Sequence, residues 1–335
     1  MNKENFLTGR VTAEHKERYE VTAENRQYLA NVKGKLLHEA KSREDYPAVG
    51  DRVAISPTDD GHALIEEILP RKSILRKKYN DKTASQLIAA NIDVAFIVQA
   101  VDRDFNINKM ERLIVLAEDG KILPTIVLNK VDLISEEELD VKKSEIVSRF
   151  GNIDLFAVST VSKEGFDRLA GYIEKDKIYC FLGSSGVGKS SIINALLDDK
   201  TTKTGTIGEK TQRGKHTTTV REMHFLKNGG MLIDNPGIRE VGMVDTEAGV
   251  KVVFGDIIDL SKECKFPDCT HTNEPRCAVL SALESGEISE DQYDNYTKIK
   301  KESDFYEMTE LEKRKKDRSF GKFKKTALDQ FDKRR

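Results

Sequence analysis

Between about residues 5 and 70 the apolar positions alternate with polar ones in short runs. The segments TGRVTAEH, RYEVTAE, QYLANVKG, DRVAISP and HALIEEI carry Val, Tyr, Ile and Thr with a period near two, and turn-forming residues separate them. Five short strands in about 70 residues predict a small antiparallel barrel of the OB-fold type. The basic stretch RKSILRKK at 71–78 then reads as a linker.

Beyond it the pattern changes. NIDVAFIVQAV is a continuous apolar run, as expected of a strand buried on both faces. Met110–Glu118 is helical, ILPTIVLN is a second buried strand, and Ser135 caps a helix rich in Glu and Lys. IDLFAVS, a helix near 164–173 and KIYCFLG continue the alternation, which predicts a doubly wound α/β sheet with ligands at the carboxyl ends of its strands. After about 245 the strand patterns stop, and residues 248–260, 277–284 and 289–303 read as helices. Ser289 with Gln292 forms a capping box, and Gly286 ends the helix before it.

The 335 residues thus divide into an expected barrel at 1–72, an α/β domain at 73–245, a helical domain at 246–303 and an extension at 304–335. The hydrophobic fraction of 38% and charged fraction of 33% suit several small domains better than one large globule. No apolar run approaches a membrane span and MNKENFLTGR is not a signal peptide, so a cytoplasmic protein, with no membrane partner, is expected. The net charge of −2 excludes a uniformly basic nucleic-acid binder, but it hides an asymmetry. Residues 311–335 hold 11 Lys/Arg against 4 Asp/Glu, so a +7 tail follows a body of −9. Such a tail is either a nucleic-acid contact or a solvated helical end.

Gly183-Ser184-Ser185-Gly186-Val187-Gly188-Lys189-Ser190 matches G-x-x-x-x-G-K-[ST] between a strand and the helix SSIINALL, which begins with Ser190 and Ser191. Its glycines let backbone N–H groups turn toward phosphate oxygens, and the helix adds its positive end. Lys189 would reach the β- and γ-phosphates, and Ser190 would hold Mg²⁺. Asn129-Lys130-Val131-Asp132 is N-K-x-D at a strand end. Asp132 can accept from both N1–H and the N2 amine of guanine, whereas adenine leaves the carboxylate unpaired. Asn129 would support the base edge and the Lys130 stem the purine face. Ser159 in AVST fits a further guanine loop, with Thr160 departing from the usual Ala.

In ordinary GTPases the phosphate loop precedes N-K-x-D; here it follows, which is a circular permutation. Asp234-Asn235-Pro236-Gly237 would supply a water-mediated Mg²⁺ ligand, Asp234, and a γ-phosphate sensor, the Gly237 N–H. In GKHTTT one of Thr217, Thr218 and Thr219, by preference Thr218, would bind Mg²⁺. Ile238 stands where many GTPases place a water-orienting Gln. Intrinsic hydrolysis should then be slow, with His216 the nearest candidate for the missing contact or else a surface or packing residue. Cys264, Cys269, His271 and Cys277 follow C-x₄-C-x-H-x₅-C, a closed ligand set for one structural Zn²⁺. Cys180, on a buried strand, reads as core packing.

With NKVD, GSSGVGKSS, GKHTTT, DNPG and the Cys/His set in this order, the chain over about 1–300 resembles the ribosome small subunit-dependent GTPase A family. The switch reads DNPG where DTPG is usual. The resemblance implies an OB-fold, a circularly permuted P-loop GTPase and a zinc domain. It also implies a GTPase acting in late maturation of the small ribosomal subunit, bound to its rRNA and stimulated by it. GTP and GDP, Mg²⁺ and one Zn²⁺ are the expected ligands, and a monomer the expected state. The other reading is a GTP-gated RNA-binding module, for tRNA or mRNA, with negligible turnover, which Ile238 favours. An ATPase is opposed by Asp132.

Overall fold

The computed structural model describes residues 6–15, 18–78, 85–102, 105–197, 221–234 and 247–307. These form two compact units, one reaching through Gly255 and the other beginning at Asp256.

The first unit opens with β1 (Leu7–Glu14), β2 (Tyr19–Ala23), β3 (Arg26–Val32), β4 (Arg52–Asp59) and β5 (His62–Ile68), at the five segments whose alternation predicted them. Strand order β1-β2-β3-β5-β4, with β1 also pairing β4, closes the barrel. One pairing departs from the antiparallel expectation: β3 and β5 run parallel. A short helix, α1 (Gly34–Glu39), and the connection after it carry the chain between β3 and β4, so no hairpin joins them and parallel pairing becomes accessible. Val11, Val21, Ala30, Val53, Ile55 and Ile65 point inward and are fully buried.

The expected linker is partly a hairpin. Ile74–Lys78 is β6 and pairs antiparallel with β7 (Ser85–Ala90). Only Ile74 and Leu75 are apolar in β6, too few to show a period, yet Leu75 is fully buried in the α/β core. Arg71, also in that stretch, donates from Nε and Nη2 to the two carboxylate oxygens of Asp51 at 2.8 and 2.7 Å and from Nη1 and Nη2 to the carbonyls of Glu44 and Tyr46. The Asp51 side chain is entirely buried. Val49 bridges Ala89, and Asn91 donates to the Gly50 carbonyl, so the barrel is locked to the start of the α/β core.

That core contains β8 (Val94–Ala100), α2 (Ile107–Asp119), β9 (Leu123–Asn129), α3 (Glu136–Phe150), β10 (Leu155–Val158), α4 (Phe166–Tyr172), β11 (Ile178–Leu182), α5 (Lys189–Leu197), β12 (Arg221–Phe225) and β13 (Met231–Asp234). Strands β10-β9-β8-β11-β13 are parallel in that spatial order, and β12 adds antiparallel at the edge. Each crossover helix covers a face, as the buried apolar runs require. Ser135 caps α3 in a box with Glu138. Phe96, stacked on Tyr179 with centroids 5.3 Å apart, anchors one face. Cys180 is core packing, and burial pushes its thiol up to about 12. The sheet does not end at β12: Ala13 and Glu14 of β1 pair with Glu222 and Arg221, so barrel and α/β domain share eleven hydrogen-bonded strands.

The expected helix 248–260 is two, α6 (Glu247–Val253), packed on α2, and α7 (Gly255–Ser261). The break falls where Phe254 is fully buried and the chain reaches Gly255, a poor helix former. In the second unit α8 (Ala278–Ser285) ends at Gly286 in the left-handed conformation, and Ser289 accepts from the Gln292 N–H ahead of α9 (Glu290–Glu307). Helix α9 thus runs past residue 303, where the extension was expected to begin. Among the described residues no helix is long and apolar enough to cross a membrane.

Candidate nucleotide and metal sites

The loop 183–190 leaves the carboxyl end of β11 and enters α5, with Val187 buried and Ser185, Gly186, Ser190 and Ser191 exposed. Gly183, Gly186 and Gly188 all have positive φ, at 149°, 86° and 99°. A Cβ on Gly183 would lie 2.4 Å from the Val98 carbonyl oxygen, so glycine lets the loop pass over β8. Lys189 Nζ donates to the carbonyls of Gly183 and Ser184 at 2.8 and 2.7 Å, which folds the ammonium back across the loop. Asp234 is half-buried at the end of β13, the strand beside β11, so the two carboxylate- and hydroxyl-bearing strand ends are neighbours in the sheet.

The N-K-x-D segment leaves β9 at the same sheet edge. Asn129 is 1% exposed and its Nδ2 donates to the Val187 carbonyl at 2.9 Å, joining the two loops directly. Its Oδ1 is buried with no hydrogen-bond partner among the described residues, an acceptor that calls for a ligand or water. Lys130 adopts the left-handed conformation, φ 65°, and starts a single 3-10 turn that buries Val131 and exposes Asp132. Lys130 Nζ lies 2.8 Å from Asp102 Oδ2. Ser159, fully buried after β10, accepts through Oγ from the N–H groups of Val161 and Ser162 at 3.1 and 3.0 Å and shapes that loop. Asn129, Lys130, Asp132, Ser159 and the phosphate loop all leave carboxyl strand ends, where such sheets hold ligands. His216, Thr217, Thr218, Thr219, Gly237 and Ile238 lie outside the described residues, as does the basic segment 311–335.

In the second unit the donor atoms of Cys264, Cys269, His271 and Cys277 all lie within 4.8 Å of one another. His271 Nδ1 is 3.6 Å from Cys264 Sγ and 3.4 Å from Cys277 Sγ, and those sulfurs are 3.8 Å apart. A tetrahedral Zn²⁺ with bonds of about 2.3 Å to sulfur and about 2.0 Å to nitrogen sets sulfurs roughly 3.8 Å apart and sulfur to nitrogen roughly 3.5 Å. The donor set fits that ion and leaves no open position. Burial, and then Lys300, holds the His271 imidazole below its usual range and so in the neutral, ligating form. Burial raises the Cys264 thiol, but hydrogen bonds from the N–H groups of Ala278 and Val279 at the start of α8 and from Cys277 and Cys269 together turn the shift downward.

Two contributors were not legible beforehand. Asp102 was hidden because its meeting with Lys130 depends on strand pairing. Glu274, between His271 and Cys277, accepts from Thr270 N–H and Thr272 N–H, each at 2.9 Å, and from Asn273 N–H at 3.1 Å. Those bonds, first that from the Thr270 hydroxyl, hold its carboxyl far below the usual range. An acidic residue amid Thr and Asn in a ligand loop is the signal that was available.

A phosphate loop in a parallel sheet, reached after the base loop in the chain but touching it in space, defines a circularly permuted GTPase. The model of the RsgA GTPase family matches residues 68–244, and that of the ABC transporter family matches 166–324. The latter span includes the phosphate loop common to both classes but not the N-K-x-D loop. Small ribosomal subunit biogenesis GTPase RsgA 1 of Listeria monocytogenes is 41% identical over 89% of this chain and 84% of its own. The protein of that name from Oceanobacillus iheyensis is 42% identical over 90% and 86%. Among solved structures, YjeQ from Thermotoga maritima aligns with a TM-score of 0.65 at 30% identity, covering 88% of this chain and 97% of that one. YloQ, described as a circularly permuted GTPase, aligns at 0.62 and 26%, covering 89% and 96%. The chain belongs to the RsgA GTPase family.

Proposed function

We propose that this GTPase binds the small ribosomal subunit, acts late in its maturation, and is stimulated by it, so that hydrolysis times its release. The name carried by relatives at about 40% identity across nearly the whole chain supports this. The observation that carries the nucleotide reading is the Asn129–Val187 hydrogen bond, which sets the base loop and phosphate loop around one space. In this reading Gly183–Ser191 cradles the phosphates by backbone N–H groups, with Lys189 as the cation. Asp132 reads the guanine N1–H and N2 amine, Asn129 and Val131 hold the loop, Lys130 covers the purine face, and Ser159 shapes the far side of the base. Ser190, Asp234 and Thr218 are the residues that would hold Mg²⁺, and Gly237 the group that would sense the γ-phosphate. The ion supplies charge neutralisation on the phosphates when bound. Lys189 and the N–H groups then need only orient them, and His216 would position water. Cys264, Cys269, His271 and Cys277 hold a structural Zn²⁺.

The barrel and the zinc unit serve as rRNA contacts, a role that OB-type barrels commonly take. The protein works as a cytoplasmic monomer, with working domains at 1–72, 73–245 and 246–303 and a basic extension beyond. Co-sedimentation with purified small and large subunits tests the proposal, run with GDP and with a non-hydrolysable GTP analogue. Binding to small subunits only, stronger with the analogue, together with faster GTP turnover on those subunits, is expected. Equal binding to both subunits, or turnover unchanged by either, overturns it.

A further inference from the structure

The second residue after β8 and the first residue after β9 are thrown together by strand pairing. Ala100 is the register partner of Asn129, and the Val101 N–H donates to the Asn129 carbonyl at 3.1 Å. One step further along, Asp102 and Lys130 meet at 2.8 Å, with side chains only 25% and 30% exposed. Lys130 is held twice more. Its backbone sits at φ 65°, ψ 33°, and its carbonyl accepts from the Leu133 N–H at 3.0 Å. A non-glycine residue in that conformation is uncommon and aims its side chain away from the course of the strand.

A lysine that must lie along a base has to be ordered first. Its stem is flexible, and ordering it costs up to about 2 kcal/mol of rotamer entropy. Here the backbone fixes where the stem starts and Asp102 fixes where the ammonium ends. We infer that Asp102 is a positioning residue for the purine base, acting through Lys130 by pinning its ammonium so that the stem lies ready along the base face before nucleotide arrives. This rests on N-K-x-D being the base-reading loop. Asp102 contacts no reacting atom in this assignment; its effect is on base affinity and not on hydrolysis.

The test is equilibrium binding of a fluorescent guanosine diphosphate to the full chain, with GTP turnover followed in parallel. An ion pair exposed to this degree contributes up to about a five-fold effect. Asp102→Asn, which keeps the shape and removes the charge, should raise the dissociation constant by about three- to five-fold. It should raise KM for GTP alike and leave turnover at saturating GTP in place. Asp102→Glu should restore part of the affinity. In a Lys130→Ala background, Asp102→Asn should have no further effect. Unchanged affinity in Asp102→Asn overturns the assignment, and so does an equal loss with and without Lys130, since the carboxylate would then act elsewhere. Asp132→Asn, assayed beside them, keeps the two readings apart. If it shifts preference from guanine to xanthine nucleotides while Asp102→Asn does nothing, the base loop stands and the pinning fails. If neither changes binding, the base loop itself is misplaced.

Discussion

Gly188 and Asn129 lie so close that a Cβ on the glycine would stand 2.1 Å from Nδ2 of the asparagine. Asn129 has nowhere to retreat, being buried and hydrogen-bonded to Val187. The phosphate loop and the base loop are therefore packed against each other through a missing side chain. Gly188→Ala has two costs, the contact and a φ of 99° that alanine resists. It should lower stability by about 1–3 kcal/mol and weaken nucleotide binding at least ten-fold, read by thermal unfolding and by titration with a fluorescent nucleotide. Nucleotide affinity at the unaltered level would show that the loops separate on binding.

Asp132→Asn exchanges a double acceptor for an amide that offers a donor at the base. Guanosine triphosphate should bind far more weakly, and xanthosine triphosphate, whose C2 oxygen needs a donor, should bind better. Competition of the two nucleotides for the variant measures it, and unaltered selectivity would remove Asp132 from the site.

Elemental analysis should find one Zn²⁺ per chain. Cys269→Ala should unfold the second unit locally while nucleotide binding persists, because the metal supplies much of the folding free energy of so small a core. Glu274 ties down the loop between ligands through the N–H groups of Thr270, Thr272 and Asn273. Glu274→Ala should weaken zinc retention against a chelator by about ten-fold or more, as loss of a ligand-orienting group does. Metal-free protein with an ordered second unit would exclude the zinc reading.

Asp51→Ala should be strongly destabilising, by about 3–5 kcal/mol, because it removes a fully buried carboxylate that accepts from both Arg71 and the Ala48 N–H and leaves the guanidinium only the carbonyls of Glu44 and Tyr46. Denaturant unfolding would measure it, and a loss below about 1 kcal/mol would mean that water reaches Arg71 freely. This pair also marks what the sequence could not tell. Strands β1 to β5 and β8 to β11 were legible because each carries its own alternation or its own buried apolar run. Strand β6 was not, since two apolar residues among the five basic ones of 71–78 look like a solvated linker until a partner strand exists. Asp51, Arg71, Asp102 and Glu274 are ordinary charged residues in one dimension, and their roles come from long-range neighbours. Conversely the phosphate loop, N-K-x-D and the Cys/His spacing were legible because local backbone conformation and short spacing suffice to build them. The barrel's continuation into the GTPase sheet at Glu14 and Arg221, an ion pair of 2.9 Å, had no local signal at all.

Hydrolysis should be divided between the protein and its partner. Ile238 offers no amide to orient water, so intrinsic turnover should be low although the phosphate loop should bind GTP well. If docking on the small subunit brings His216 to the water, His216→Ala should keep nucleotide affinity and subunit binding and lose most of the stimulated rate. That pattern marks an interaction made chiefly in the transition state. Lys189→Ala should behave differently, because an ammonium that spans the phosphate loop acts on bound phosphates before any reaction and its loss should weaken binding itself. Single-turnover rates on saturating small subunits separate the two variants. Wild-type stimulation in His216→Ala would exclude the residue and leave the water to backbone groups or to the subunit.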